Sequence, residues 1–442
     1  MPELAASPRT ARTGFRVFAA LWLGQFVSFF GSNLTSFAIG VWIYRTTGSA
    51  TSYALISFAT LVPSILVSPL AGVLADRFDR RRLMLLSNAG DAAAKAVLAW
   101  WVWQGELGSG HIYAVMAASS CCYALQVPAF GASIAQLVPK RHLGRANGLM
   151  QMSTAATLVL APLLGGVVFE AVPLLTLILA NIATFAVTIG LLLLVRIPRV
   201  STEETGSRPS LLREAAYGWT YLRGRPALLT LLGVSAFLNF SLGMVQVSMT
   251  PLVLSFASPS ELGIVMACAS SGMLAGSLVM SAWGGPERRM RFIRDVLIVM
   301  GIVLMAGVWR PSVPLLSAAA FVFLFLMPLV SGSTRVIWQS KVAPEVQGRV
   351  LAMARMAAIS CLPLAALVTG PLLDHVFEPM LAEGGRLAGS VGALIGTGPG
   401  RGVALLMALV GLMILSGVAL IFHFLRLEQL EDELPDAIPD VT

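Results

Sequence analysis

Asp91 and Lys95 stand four residues apart in an otherwise apolar run. On a helix this spacing puts both side chains on one face, in the favourable acid-before-base order. A lone charge at the centre of a bilayer costs about 2.5–3.5 kcal/mol on insertion scales, so such groups are either paired or functional. The pair can be a neutralising ion pair, or Asp91 can take up and release a coupling proton. Asp91 is the only acidic residue deep in any apolar run, which makes it and Lys95 the candidates for proton coupling.

A second set of residues could contact a ligand. The amides Gln25, Asn33, Gln126, Asn181, Asn239 and Gln246 lie well inside apolar runs, where each needs a partner or water. Gln25, Ser28 and Ser32 follow helical spacing, as do Ser119, Cys122, Gln126 and Ser133, and then Ser235, Asn239, Gln246 and Thr250. Each amide can serve an interhelical hydrogen bond or a substrate; as a set they predict a wet path. Arg335 can bind an anionic group or extend its charge out to water. The candidate cavity residues are thus Gln25, Ser28, Ser32, Asn33, Ser119, Gln126, Asn239, Gln246 and Arg335.

Catalytic chemistry has little support. His111, His142, His375 and His423 are scattered at the ends of apolar runs. Cys121, Cys122, Cys268 and Cys361 show no metal-ligand spacing and read as small packing residues. No Gly-x-x-x-x-Gly-Lys-Ser/Thr phosphate loop is present. The expectation is a protein that is not an enzyme, with no metal and no cofactor.

The elements that position these residues follow from composition. Of 442 residues, 57% are hydrophobic and 12% charged, against about 25% charged in soluble domains. Mean hydropathy is +0.81. The bilayer is the apolar solvent such a chain needs, and helices of about 20 apolar residues cross it. Twelve spans are predicted, near 15–44, 51–75, 83–103, 111–136, 146–170, 172–195, 228–256, 261–283, 292–309, 313–338, 350–376 and 402–425. The reading is an all-α membrane protein of twelve transmembrane helices in two six-helix halves.

The net charge of +8 fits topology better than nucleic-acid binding. Basic residues cluster at Arg9–Arg16, Arg77–Arg82, Lys140–Arg145, Arg196–Arg225, Arg288–Arg294 and Lys341–Arg355. Only Arg45, Arg310, Arg386 and Arg401 fall in the alternate loops. Both termini are expected in the cytoplasm. Only three of the 30 basic residues are lysine, which suggests a GC-rich bacterial genome and the bacterial cytoplasmic membrane. The expected organisation is an N-terminal segment 1–14, a half at 15–195, a linker with an amphipathic helix at 196–227, a half at 228–425 and an acidic tail at 426–442.

An offset of 204 residues aligns the halves. Gly72 falls on Gly276, Gly144-Arg145 on Gly348-Arg349, Ala161, Leu163 and Gly166 on Ala365, Leu367 and Gly370, and Glu170 on Asp374. Internal repeats of this kind are common in transporters.

The loop after the second span reads Gly72-Val73-Leu74-Ala75-Asp76-Arg77-Phe78-Asp79-Arg80-Arg81. It resembles the Gly-x-Leu-Ala-Asp-Arg-x-Gly-Arg-Arg/Lys signature of the major facilitator superfamily, with Asp79 at a position that is usually Gly. Gly72 is expected to allow close helix approach. The resemblance implies a gating latch in which Asp76 faces the start of the eleventh span near Arg349, with Arg77, Arg80 and Arg81 binding inner loops. The second half retains Gly276 but no Asp-Arg pair, so its latch is expected to be weaker. Ala161-Pro162-Leu163-Leu164-Gly165-Gly166 looks like the Gly-Pro-x-Leu-Gly-Gly motif of exporters, in which Pro162 bends the helix and Gly165 and Gly166 pack tightly. The stretches 127–149, 342–350 and 396–402 resemble the subgroup of the enterobactin exporter and macrolide efflux proteins.

The resemblance implies a cavity lined by spans one, four, seven and ten, between halves that rock in alternating access. It implies a secondary exporter of a natural product, siderophore or antibiotic-like molecule, working as a monomer in the lipid bilayer. Proton antiport is energetically adequate, since one proton entering down 100 mV supplies about 2.3 kcal/mol. Competing readings are an importer or lysophospholipid flippase on the same fold and a membrane sensor that transports nothing.

Overall fold

The computed structural model describes residues 8–139, 142–195, 219–343 and 346–424. Lys140, Arg141, most of the linker (196–218) and the tail 426–442 lie outside the described residues. The described residues are helical throughout their long elements and include no strand. A helix satisfies its backbone internally, which is what an apolar solvent demands.

The first six helices are α1 (Pro8–Thr47), α2 (Ala50–Arg77), α3 (Arg80–Gln104), α4 (Ser109–Leu137), α5 (Leu143–Ala171) and α6 (Leu174–Leu194). Then follow α7 (Pro226–Leu254), α8 (Pro259–Trp283), α9 (Arg289–Gly307) and α10 (Val313–Lys341). The next span is interrupted: α11 (Gln347–Ile359), α12 (Cys361–Leu372), a π-helical turn at Leu373–Phe377 and α13 (Glu378–Leu381) follow one another. Pro363 and Pro371 lie within this interrupted stretch, and each removes a donor and crowds the carbonyl four residues back. A short α14 (Val391–Ile395) precedes α15 (Arg401–Phe424).

Ten of these stretches are long and apolar enough to cross a membrane, against the twelve expected. The two that fall short are α3 and α9. The first carries Asp91 and Lys95 at mid-length; the second has 19 residues and opens with Arg289, Arg291, Arg294 and Asp295. Charge, not length alone, lowers both.

Two compact units form. One comprises Met1–Arg45 with Ala59–Gly206, the other Thr46–Phe58 with Ser207–Thr442. The boundary passes through α2, whose beginning packs in the second unit.

In the first unit, Phe18, Leu21, Leu83, Met84, Phe130, Ile134 and Leu192 form a buried cluster that draws on α1, α3, α4 and α6. Asp79 stands just before α3 and its carboxylate accepts from the Arg82 amide at 3.1 Å. The residue that departs from the usual Gly is therefore a helix N-cap.

In the second unit, small residues set the helix spacing. A Cβ at Gly272 or Gly276 of α8 would strike the carbonyl of Phe321 or Phe325 on α10. Gly276→Val should therefore overpack this contact by about 1–3 kcal/mol or more, read as a lower melting temperature of the purified protein. Gly72, its counterpart at the 204-residue offset, behaves differently. A Cβ there would meet no atom of the described residues within 4 Å.

Candidate functional site

The residues buried along α3 are Leu83, Met84, Ser87, Asn88, Lys95, Leu98 and Ala99. Their three- and four-residue spacing defines one face, and Asp91 falls on it. Gly90 brings this face close to α4, since a Cβ there would lie 2.9 Å from the Cys122 Sγ. As a result Asp91 and Lys95 face into the first unit.

There they line a cavity of about 400 Å³ together with Gln25, Ser28, Ser32 and Asn33 of α1 and Ser119, Cys122 and Gln126 of α4. Thr60 and Ser64 of α2 and Phe185 of α6 complete parts of the wall. Eight residues singled out from sequence meet in this one cavity: six cavity candidates and both members of the charged pair.

Lys95 Nζ donates to Asp91 Oδ1 at 2.6 Å and to Ser119 Oγ at 3.4 Å, and lies 5.2 Å from the centre of the Phe185 ring. The two side chains are 6% and 13% exposed, so the pair is largely desolvated yet borders the cavity. Ser28 Oγ is 2.6 Å from Thr188 Oγ1 and donates to the Thr184 carbonyl, and the Asn181 amide donates to Ser32 Oγ at 3.4 Å. These tie α1 to α6, so Asn181 serves an interhelical bond. Gln126 differs. Its amide nitrogen and oxygen are both buried without a hydrogen-bond partner among the described residues, as is the Gln25 nitrogen. Buried polar atoms are normally paired, and two open amides beside an ion pair are suited to bind a polar group that enters the cavity.

The second unit holds its own cavity, of about 550 Å³. Asn239 of α7 and Arg335 of α10 line it, as expected. Gln246 does not. The α7 wall runs from Leu232 to Leu242, and Gln246 lies a turn beyond it, exposed. Sequence reasoning missed Arg355 of α11, which lines the same cavity.

Of the gating residues, Asp76 and Arg77 close α2, and their side chains lie outside the described residues. Arg80 Nη1 donates to the Ala132 carbonyl at 2.7 Å. Arg81 donates from Nε to Leu192 at 2.7 Å and from Nη2 to Leu193 at 2.6 Å. Leu192 and Leu193 lie in the last turn of α6, where the helix leaves its own acceptors open, while Ala132 lies one turn earlier in α4. The expectation placed these arginines on loops; the Ala132, Leu192 and Leu193 acceptors lie in helices. In the exporter motif, α5 runs unbroken through Pro162. A Cβ at Gly165 would lie 2.8 Å from the Phe37 ring, so Gly165 packs tightly against α1, while Gly166 is buried.

Sequence reasoning also left Asp374 without a role. Its carboxylate accepts from Ser49 Oγ at 2.7 Å and from the amides of Ala50 and Thr51 at 2.9 Å each, capping α2. The Ser-Ala-Thr-Ser run at 49–52 before an apolar helix was the available signal, together with the alignment of Asp374 with Glu170. Nearby, Thr250 Oγ1 donates to the Tyr53 hydroxyl at 2.9 Å, and Ala54, Val247 and Ala366 form a small buried cluster.

The family model of the Major Facilitator Superfamily matches residues 21–363. Macrolide efflux protein A of Streptococcus pyogenes is 25% identical over 368 residues, covering 81% of this chain and 90% of that protein. The multidrug efflux pump Tap of Mycobacterium tuberculosis is 23% identical over 369 residues, covering 78% of this chain and 84% of that one. Among solved structures, a bacterial homologue of the human lysosomal transporter Spinster superposes with a TM-score of 0.72 at 16% identity, covering 99% of this chain and all of that one. That likeness concerns the fold alone.

Proposed function

Because the chain belongs to the Major Facilitator Superfamily, we propose that this multi-pass membrane protein is a secondary active exporter of amphipathic small molecules, driven by proton antiport. The observation that carries the reading is the first-unit cavity, where the Asp91–Lys95 pair borders the unpaired amides of Gln25 and Gln126. A carboxylate on the wall of a ligand cavity lets protonation and ligand binding influence one another directly. The relatives are efflux proteins, which supports outward transport and natural products, including siderophore-like compounds or antibiotics, as cargo.

In this reading all twelve helices cross the bacterial cytoplasmic membrane, α3 and α9 included, and both termini are cytoplasmic. The halves near 15–195 and 228–425 alternate in access, and a monomer suffices. The Gly72–Arg81 region stabilises one state. Asp76→Ala is expected to cut transport several-fold while the protein still reaches the membrane, checked by efflux against expression level; full transport by this variant would remove Asp76 from gating.

The direct test uses inverted membrane vesicles loaded with protons by respiration. Radiolabelled erythromycin should accumulate inside, and a protonophore should release it. Accumulation that survives the protonophore, or uptake into right-side-out vesicles instead, would overturn proton-driven export.

A further inference from the structure

The first-unit cavity and its ion pair are used by the reading above; the second-unit cavity carries separate information. On α10, Ser331, Thr334, Arg335, Trp338 and Gln339 recur at three- and four-residue intervals and line it. That is one helix face. Opposite, α11 presents Ala352, Arg355 and Ala358. The two alanines occupy little volume, so the cavity widens along this face of α11.

The charge is one-sided. Among the described residues, no Asp or Glu lines this cavity of about 550 Å³. Neither Arg335 nor Arg355 has a hydrogen bond or ion pair with any described residue, although Arg294 of the same unit pairs with Asp295 at 2.9 Å. Both side chains are exposed on the cavity wall, and a cleft lined by one sign of charge concentrates ions of the other sign. Arginine is suited to the task, because its planar fork meets carboxylate or phosphate oxygens two at a time. The remaining wall is apolar, with Phe323, Met327 and Leu238 among its residues.

We infer that the second-unit cavity binds the anionic group of an amphiphile, a carboxylate or phosphate held between Arg335 and Arg355 with its apolar body against Trp338 and Met327. The inference adds an anionic class of cargo to the exporter reading, beside the basic macrolide that tests it, and it rests on that reading only for the direction of transport.

Binding to the purified full-length protein tests it separately from transport. In phosphatidylcholine nanodiscs, fluorescence anisotropy compares fluorescein, an anion, with rhodamine 123, a cation on the same ring skeleton. Fluorescein should bind at least tenfold more tightly than rhodamine 123. Arg335→Gln with Arg355→Gln should remove that preference, and Arg335→Lys with Arg355→Lys should keep part of it while folding as the parent does. Cholate or lysophosphatidylglycerol should displace fluorescein; the more potent of the two identifies a free acid or a lipid headgroup as the anion's carrier. Equal binding of the two dyes to the parent protein, or a preference unchanged in the Gln pair, would overturn the anion site. Erythromycin accumulation persisting in that case would leave the exporter reading standing, and its loss with dye preference intact would do the reverse.

Discussion

Asp91→Asn will abolish protonophore-sensitive erythromycin accumulation in inverted vesicles, a loss of at least about tenfold, which corresponds to about 1.4 kcal/mol of lost coupling. The variant separates two roles that geometry alone gives to the same residue. Asp91 and Lys95 form a buried pair at 2.6 Å, and removing one partner of such a pair costs about 3–5 kcal/mol, because the other charge is left unpaired in a poorly solvated place. Asp91→Asn and Lys95→Met should therefore each lower the melting temperature. The double variant replaces the pair with neutral groups of similar volume and should recover most of that stability. If Asp91 is the coupling site, the double variant folds well and still fails to accumulate substrate against a gradient. If the pair only neutralises a charge inside the membrane, the double variant regains driven transport. Facilitated exchange of substrate without a proton gradient should persist in Asp91→Asn, since Gln25 and Gln126 remain in the cavity wall.

The first-unit site was legible because two costs act locally. An amide or a charge in an apolar helix is conspicuous, and a period near 3.6 tells which of these share a face. Gln25, Ser32, Ser119 and Gln126 obey both rules and meet in one cavity. Asp91 was harder to place, since the third span is not among the four that the resemblance sets around the cavity; Gly90 beside Cys122 is what lets α3 approach α4. Arg355 was illegible for another reason. Basic residues near a helix start are what the topology rule expects anyway, so nothing in the sequence set Arg355 apart until the turn after Lys341 returned the chain and placed it in the same cavity as Arg335. Gly72 and Gly276 show a further limit. The repeat aligns them, yet among the described residues only Gly276 has a backbone against it. A motif names a residue that permits close approach, and the neighbouring helix decides whether the approach is made.

Asp374→Ala will destabilise the protein and loosen the start of α2. The first amides of a helix have no acceptor inside it. Here two of them, Ala50 and Thr51, donate to a carboxylate 324 and 323 residues away, and Ser49 adds its hydroxyl. An anion at this position also meets the positive end of the helix dipole. Loss of an N-cap alone costs about 0.5–2 kcal/mol, and because this acceptor is charged but only half-buried, about 1–2 kcal/mol is expected in total. Asp374→Asn keeps one acceptor oxygen and should lose about half as much. Packing closes over the same point: a Cβ at Gly370 would lie 2.6 Å from the Thr51 Cα and 3.0 Å from the Ala54 Cβ. Gly370→Val should accordingly open the contact by steric force while Asp374 is intact. Ala54 is 2% exposed in this arrangement, so Ala54→Cys, placed in a chain whose four native cysteines are alanine, should react slowly with an impermeant maleimide. Either Asp374→Ala or Gly370→Val should speed that labelling several-fold. Labelling unchanged in both would mean that the start of α2 is held by Tyr53, Thr250 and the Ala54 cluster without help from the cap. Faster labelling with transport reduced would mean that the cap, a charge-assisted contact that water can replace, sets how readily the beginning of α2 leaves its partner.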